Sequence, residues 1–214
     1  MSQDKEHRSL SGLINRRKFL IWLGILLGII IASISVIKKR ALSITNRFRI
    51  RSVEQTPGFN PDTWKLSVDG LVNMPLAISY DELLELKSEE QVSDFHCVEG
   101  WSVDDVRWRG IRLKVLFDMA GVMPEAGFLT FHSASGIYSD SLSIKEALEP
   151  DVMLAYMLDD ELLPEEQGRP LRLVMPRMFG YKSVKWVNRI TLTAVQEAGY
   201  WERFGYNIDG VSYP

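Results

Sequence analysis

An uncharged apolar run of nineteen residues, Phe19 to Ile37, divides this 214-residue chain before anything else about its fold is decided. It matches the ~20 residues a helix needs to cross a bilayer, so it reads as a transmembrane helix or the core of an export signal. The remainder is long enough for one good-sized core, since domains run ~100 to 200 residues. The expected division is therefore a cytoplasmic n-region over 1–18, the helix over 19–37, a linker over 38–60 and one folded domain over 61–214.

Arg16-Arg17-Lys18-Phe19-Leu20 looks like a twin-arginine export signal, a route for proteins that fold before they leave the bacterial cytoplasm. The same three cations also suit a plain positive-inside anchor. Five lysines and arginines precede the apolar run and six lie between Lys38 and Arg51, so charge counting alone leaves the orientation open. The small-residue pattern a signal peptidase reads is poorly formed around Ala32-Ser33-Ile34-Ser35, which argues against cleavage.

Charge is distributed unevenly. The first 51 residues hold eleven Lys/Arg against two Asp/Glu, and the rest holds 14 against 26. An acidic domain excludes the basic face of a nucleic-acid binder. Within it, Arg169, Arg172, Arg177, Lys182, Lys185 and Arg189 share one stretch with no acid between Gln167 and Gln196. Apolar residues such as Leu171, Leu173, Val184 and Val187 interleave these cations. That pattern describes a core-lining segment that needs an anion, and a phosphate fits arginine forks and a turn with free N–H groups.

Cys97 is the only cysteine, so one chain offers no intramolecular disulfide, no Cys-x-x-Cys site and no four-thiolate cluster. It remains a buried inert thiol, a covalent nucleophile or a single-thiolate ligand to a soft metal. A nucleophile needs a base. His96 is adjacent, but neighbours on a strand point to opposite faces, so His132 is the other candidate.

Strands are expected over Thr63–Val68, Gln91–His96, Phe128–His132, Val152–Leu158, Leu171–Val174 and Ile190–Val195. Capping boxes at Ser79-Tyr80-Asp81-Glu82 and Ser143-Ile144-Lys145-Glu146 open helices, the first running to about Lys87 and the second ended by Pro150. A further short helix spans Lys114 to Ala120. The irregular alternation predicts a single mixed α+β domain without the βαβ rhythm of a doubly wound sheet. No dinucleotide or P-loop fingerprint is present.

Taken in order, Cys97-Val98-Glu99-Gly100-Trp101-Ser102, Trp108-Arg109-Gly110, Phe131-His132-Ser133 with Tyr138, Gly168-Arg169-Pro170-Leu171-Arg172 and Gly180-Tyr181-Lys182-Ser183-Val184-Lys185-Trp186 resemble sulfite oxidase-type molybdopterin-dependent oxidoreductases. The likeness runs from about Thr63 to Thr193 and is strongest to the compact bacterial members that reduce methionine sulfoxide in the periplasm. It implies a molybdenum-molybdopterin cofactor with Cys97 as the metal's thiolate ligand. It implies that Ser133, Gln167, Arg172, Lys182, Ser183, Val184 and Lys185 hold the pterin and its phosphate. His96 replaces an arginine often found before the cysteine, where it could tune the metal or a proton transfer or be purely structural. Arg177, Tyr138 and Trp101 are candidates for the substrate mouth, each with ordinary packing or surface charge as the alternative.

The activity implied is that of an oxidoreductase moving an oxygen atom, or two electrons, to or from a small oxyanion or sulfoxide. A membrane cytochrome or quinone-linked subunit would carry its electrons, and its catalytic domain would lie on the periplasmic side of a bacterial inner membrane. Two rivals stay open: a membrane-anchored binding module of the same fold without metal, and a thiol enzyme using Cys97 with His132.

Overall fold

The computed structural model describes residues 16–45 and 48–211. Contacts divide it into two units, Met1–Ser43 and Ile44–Pro214. In the first, α1 (Arg16–Thr45) makes the apolar run helical, and its large apolar side chains from Phe19 to Ile34 are exposed. Among the described residues no helix is long and apolar enough to cross a membrane, so the expected span is not found. The described side chains of this helix end at residue 34, and those of Arg16, Arg17 and Lys18 lie outside them.

The second unit begins with β1 (Lys65–Gly70) and β2 (Leu76–Ser79). Ser79 then caps α2 (Tyr80–Glu85), its hydroxyl accepting from the Glu82 amide while the Glu82 carboxylate returns to the Ser79 backbone. β3 (Ser88–His96) and β4 (Ser102–Ile111) form a long hairpin, and α3 (Leu113–Ala120) follows, closed by left-handed Gly121. Next come β5 (Phe128–Ser133), β6 (Ser139–Ser143), and α4 (Ile144–Ala147) under a second capping box. The chain continues through β7 (Met153–Leu158), β8 (Glu161–Leu162), β9 (Arg172–Val174) and β10 (Val187–Thr193).

Two sheets result. One runs β2-β1-β10-β5-β6, with only β1 and β10 parallel. The other runs β3-β4-β7-β8, with β9 also on β7. The mixed α+β architecture expected from the irregular alternation is present. Leu66, Val68, Leu83, Leu116, Phe131 and Ile190 are fully buried in the core of the first sheet and its helices. Val103, Val106, Trp108 and Met153 form a second core with Phe48. Burying each such side chain contributes roughly 1.5–3 kcal/mol, which fixes both sheets as rigid supports for the loops between them.

Three differences from the sequence reading have physical causes. α4 ends at Ala147, three residues before Pro150: the Leu148 amide makes the last i→i−4 bond, to Ile144 at 3.1 Å, and the Glu149 amide already turns to Glu146, an i→i−3 bond. α2 stops at Glu85 because Leu86 is extended. β4 was not expected because its alternation breaks: Asp105 adopts φ 54°, its amide donates to Asp94, and the register with β3 shifts there.

Candidate functional site

The β3–β4 hairpin closes through a tight turn that presents Cys97. The Cys97 amide donates to the Trp101 carbonyl at 2.9 Å, and the Gly100 amide donates to the Cys97 carbonyl at 3.0 Å. Gly100 supplies φ 81°, which a residue with a side chain adopts only under strain. The thiol is half-buried and faces a cavity of about 380 Å³ that also receives Tyr138, Gln167, Arg172, Ser183 and Lys185. That volume falls in the range of small-molecule and cofactor sites. Burial pushes the thiol pKa up; a backbone hydrogen bond at Glu99 opposes this, the Glu99 charge adds to it, and the Arg51 and Arg49 charges pull it down. A thiol held protonated is a weak nucleophile, whereas a bound soft metal enforces deprotonation.

The same cavity is lined by two cations that form no ion pair among the described residues. Arg172, buried at the start of β9, is held between Phe95 and Trp108, with ring centroids at 5.6 and 5.2 Å. One terminal nitrogen donates to the Gln167 carbonyl and to Gln167 Oε1, both at 3.0 Å. Arg172 Nε and Gln167 Nε2 are buried with no partner. Burial lowers the Arg172 pKa to about 10. Lys185 Nζ lies 4.2 Å from the Trp186 ring centroid and donates to the carbonyls of Arg51 and Glu166 at 3.0 Å. Burial first, and then the Arg172 charge, lower its pKa to about 8. Two neighbouring cations, one with an unmet donor at Nε and neither in an ion pair among the described residues, describe a place for an anion.

Backbone geometry brings them together. Gly168 has φ 115°, and a Cβ there would stand 3.0 Å from Arg172 Cβ and 3.2 Å from Lys185 Cβ. Val184 is fully buried, and its carbonyl accepts from the Leu173 amide at 2.8 Å, pinning the Ser183–Lys185 turn against β9. Ser133 is buried at the end of β5, where its hydroxyl donates to Glu54 at 2.9 Å. Tyr138 stacks on Tyr200 and donates to the Tyr181 carbonyl at 2.6 Å, and burial holds its phenol well above the usual range. These partners fit an anionic cofactor: unmet donors, a cavity of suitable size, and a soft ligand at its mouth.

Five expected site residues do not line this cavity: Ser133 lines a separate cleft, Val184 is fully buried, and Lys182, Arg177 and His96 are engaged elsewhere. Lys182 is fully buried and forms ion pairs with Asp140 and Glu202, both at 2.5 Å, so its charge is spent inside the protein. Arg177 is exposed and paired with Asp151 at 2.8 Å and Glu149 at 3.3 Å, away from the cavity. The His96 ring bonds to the Ser102 hydroxyl at 2.8 Å and does not line the cavity. His132 faces a separate cleft with Lys65 and Arg189; burial, then Arg189, lower its pKa. The Cys97–His132 pairing that a thiol enzyme needs is therefore not formed.

The sequence reading missed the strap over residues 48–54, assigned there to a linker. Phe48 packs edge-on against Phe95 and Trp108. Arg51 Nε bonds to both oxygens of Glu99, at 2.9 and 3.0 Å, and Glu54 takes hydrogen bonds from Ser133 and Ser135. The one signal was the close run Arg47, Arg49 and Arg51 ahead of an acidic domain.

Residues 53–201 match the family model described as the oxidoreductase molybdopterin binding domain. The chain is 35% identical over 169 residues to the uncharacterized oxidoreductase YuiH of Bacillus subtilis (strain 168), covering 78% of this chain and 85% of that protein. It is 31% identical over 170 residues to the protein-methionine-sulfoxide reductase catalytic subunit MsrP of Campylobacter jejuni, covering 72% of this chain and 57% of that one. Among solved structures, the sulfane dehydrogenase SoxCD of Paracoccus pantotrophus superposes with TM-score 0.61 at 27% identity, over 66% of this chain and 41% of that one. The chain thus spans a little over half of the reductase and less than half of the dehydrogenase chain. Fold, family match and site agree: the chain belongs to the sulfite oxidase-type molybdopterin-binding oxidoreductases and is a molybdenum-cofactor-dependent enzyme.

Proposed function

We propose that this enzyme transfers an oxygen atom at sulfur, reducing a sulfoxide to a thioether. Two electrons and two protons enter, the S–O bond breaks, and water leaves. The observation that carries this reading is one cavity holding both the Cys97 thiol and the pair Arg172 and Lys185, which form no ion pair among the described residues. Relatives named for methionine sulfoxide and for a sulfane support sulfur as the reacting element.

In this reading Cys97 is the molybdenum's protein ligand, and the cofactor supplies the two-electron redox chemistry. Arg172 and Lys185 neutralise its phosphate, Gln167 and Ser183 add hydrogen bonds, and Ser133 is available once Glu54 withdraws. Phe95, Trp101, Trp201 and Tyr206 line the same cavity; aromatic rings exclude water and make favourable contacts with sulfur. The word subunit in the relative's name supports a separate electron donor, for which a membrane cytochrome or quinone-linked protein is the candidate. Arg16-Arg17 ahead of the apolar run supports export to the periplasmic side.

The test is turnover of methionine sulfoxide and dimethyl sulfoxide by cofactor-loaded protein, with reduced viologen as donor. Viologen oxidation that depends on sulfoxide supports the proposal. Loaded protein that oxidises sulfite and leaves both sulfoxides untouched would overturn it.

A further inference from the structure

Arg51 lines the cavity, is anchored through its backbone and its Nε, and leaves its two terminal NH2 groups without a partner among the described residues, although its side chain is 62% exposed. Arg51 belongs to the strap, and two contacts fix it. Its carbonyl accepts from Lys185 Nζ at 3.0 Å, which ties its backbone to the anion-binding turn. Its Nε donates to both Glu99 oxygens at 2.9 and 3.0 Å, which ties its side chain to the hairpin turn that carries Cys97. Glu99 is itself oriented by Trp101, whose indole N–H donates to it at 3.1 Å. Both bonds to Glu99 come from Nε, so the two terminal NH2 groups have no hydrogen-bond partner among the described residues.

The other cations near Cys97 are less suited. Arg172 and Lys185 lie side by side at Gly168 and belong to the anion site. His96 is turned to Ser102, and Arg177 is paired outside the cavity. Arg49 lines the same cavity, but no side-chain hydrogen bond fixes it among the described residues. A fork of donors on a planar, always-charged group, fixed at its base, is suited to hold an oxygen atom in one position.

We propose that Arg51 binds the substrate's oxygen, its terminal NH2 groups donating to the S–O oxygen above Cys97. This rests on the sulfoxide reading given above. Glu99 sets the accompanying selectivity. Its carboxylate offsets the guanidinium charge at the mouth, so the site accepts a neutral, dipolar S–O group and rejects an anionic one. Arg51 is thus a catalytic residue of the strap, and Glu99 is a positioning residue that also screens charge. Arg51 occupies no place in the cofactor anchor by its side chain, so replacing that side chain leaves loading intact.

The experiment uses the full chain, purified with cofactor, as wild type, Arg51→Gln, Arg51→Lys, Arg49→Gln and Glu99→Gln. Four readouts are compared: molybdenum per chain, kcat and KM for dimethyl sulfoxide, quenching of tryptophan fluorescence by dimethyl sulfoxide in the oxidised protein, and inhibition by sulfate. Arg51→Gln is expected to load normally, raise KM about tenfold and weaken the fluorescence-detected binding by the same factor, as for loss of a charge-assisted hydrogen bond. Arg51→Lys should recover part of the loss, and Arg49→Gln should change KM less than about threefold. Glu99→Gln should tighten sulfate inhibition. An unchanged KM in loaded, active Arg51→Gln, or a larger effect from Arg49→Gln, would overturn the assignment while leaving the sulfoxide reading standing. A loaded wild type with no sulfoxide turnover would instead remove the reading on which it rests.

Discussion

Arg172 reaches Gln167 twice through one terminal nitrogen, at 3.0 Å to the backbone oxygen and 3.0 Å to Oε1, and leaves its own Nε without a partner. A buried charge with unmet donors costs several kcal/mol unless something neutralises it. That cost is carried by the cofactor-free protein and recovered when an anion binds. Arg172→Met is therefore expected to raise the stability of the cofactor-free protein by roughly 1–2 kcal/mol while abolishing loading. Urea unfolding of the cofactor-free proteins, beside molybdenum content after expression with the cofactor, checks both halves.

Lys185 gives the anion site its pH dependence. Its folded pKa is lowered to about 8, so it is charged below that value and neutral above it, while in the unfolded chain it stays charged to higher pH. Between about 8 and the ordinary lysine value the unfolded chain binds more protons, so cofactor-free stability rises with pH there. Anion affinity runs the other way and falls as pH rises through about 8. Titration calorimetry with sulfate, whose charge is constant over this range, at pH 7 and pH 9 should show weaker binding at pH 9, and Lys185→Met should remove most of the difference.

Lys182 is a structural cation. With Asp140 and Glu202 it joins the first sheet to the C-terminal segment, and it also donates to the Ile208 carbonyl at 3.0 Å. Lys182→Met leaves two buried carboxylates facing each other and should cost about 3–5 kcal/mol. Burial, despite the Lys182 charge, raises the Asp140 pKa to about 7, so the folded protein binds a proton there that the unfolded chain has released. Asp140 therefore favours folding most at acidic pH, and its contribution declines as pH rises toward 7. Unfolding midpoints of the wild type and Asp140→Asn at pH 5 and pH 8 should differ more at pH 8.

Gly168 sets the spacing of the anion site. Its φ of 115° strains any side chain, and a methyl group would sit 3.0 and 3.2 Å from the Arg172 and Lys185 Cβ atoms, tighter than ordinary contact. Gly168→Ala should cost ~1 kcal/mol or more from backbone strain alone. It should also lower molybdenum per chain, measured on folded protein, because the two cations are pushed apart.

Much of the site was legible in the sequence because its parts come as short motifs in a fixed order, and Cys97, Gln167, Arg172, Ser183 and Lys185 do converge. The choice between Lys182 and Lys185 was not legible, since a turn carries no periodicity to tell which cation points inward. Lys182 is drawn to Asp140 and Glu202, residues 42 and 20 positions away. The strap was invisible for a related reason: residues 48–54 have neither strand nor helix pattern, and tertiary contacts alone place them. In the fold, alternation revealed β1 and apolar, β-branched content revealed β7, while the bulge at Asp105 concealed β4.

The central claim is that Cys97 binds the molybdenum of a cofactor anchored by Arg172 and Lys185. Its most direct test is molybdenum per chain, by elemental mass spectrometry, on wild type and Cys97→Ser from a host that makes the cofactor. The account predicts about one molybdenum per wild-type chain and, in the variant, loss of the metal or a changed paramagnetic signal. Folded wild-type protein without molybdenum, or a variant with the same content and the same signal, would contradict it.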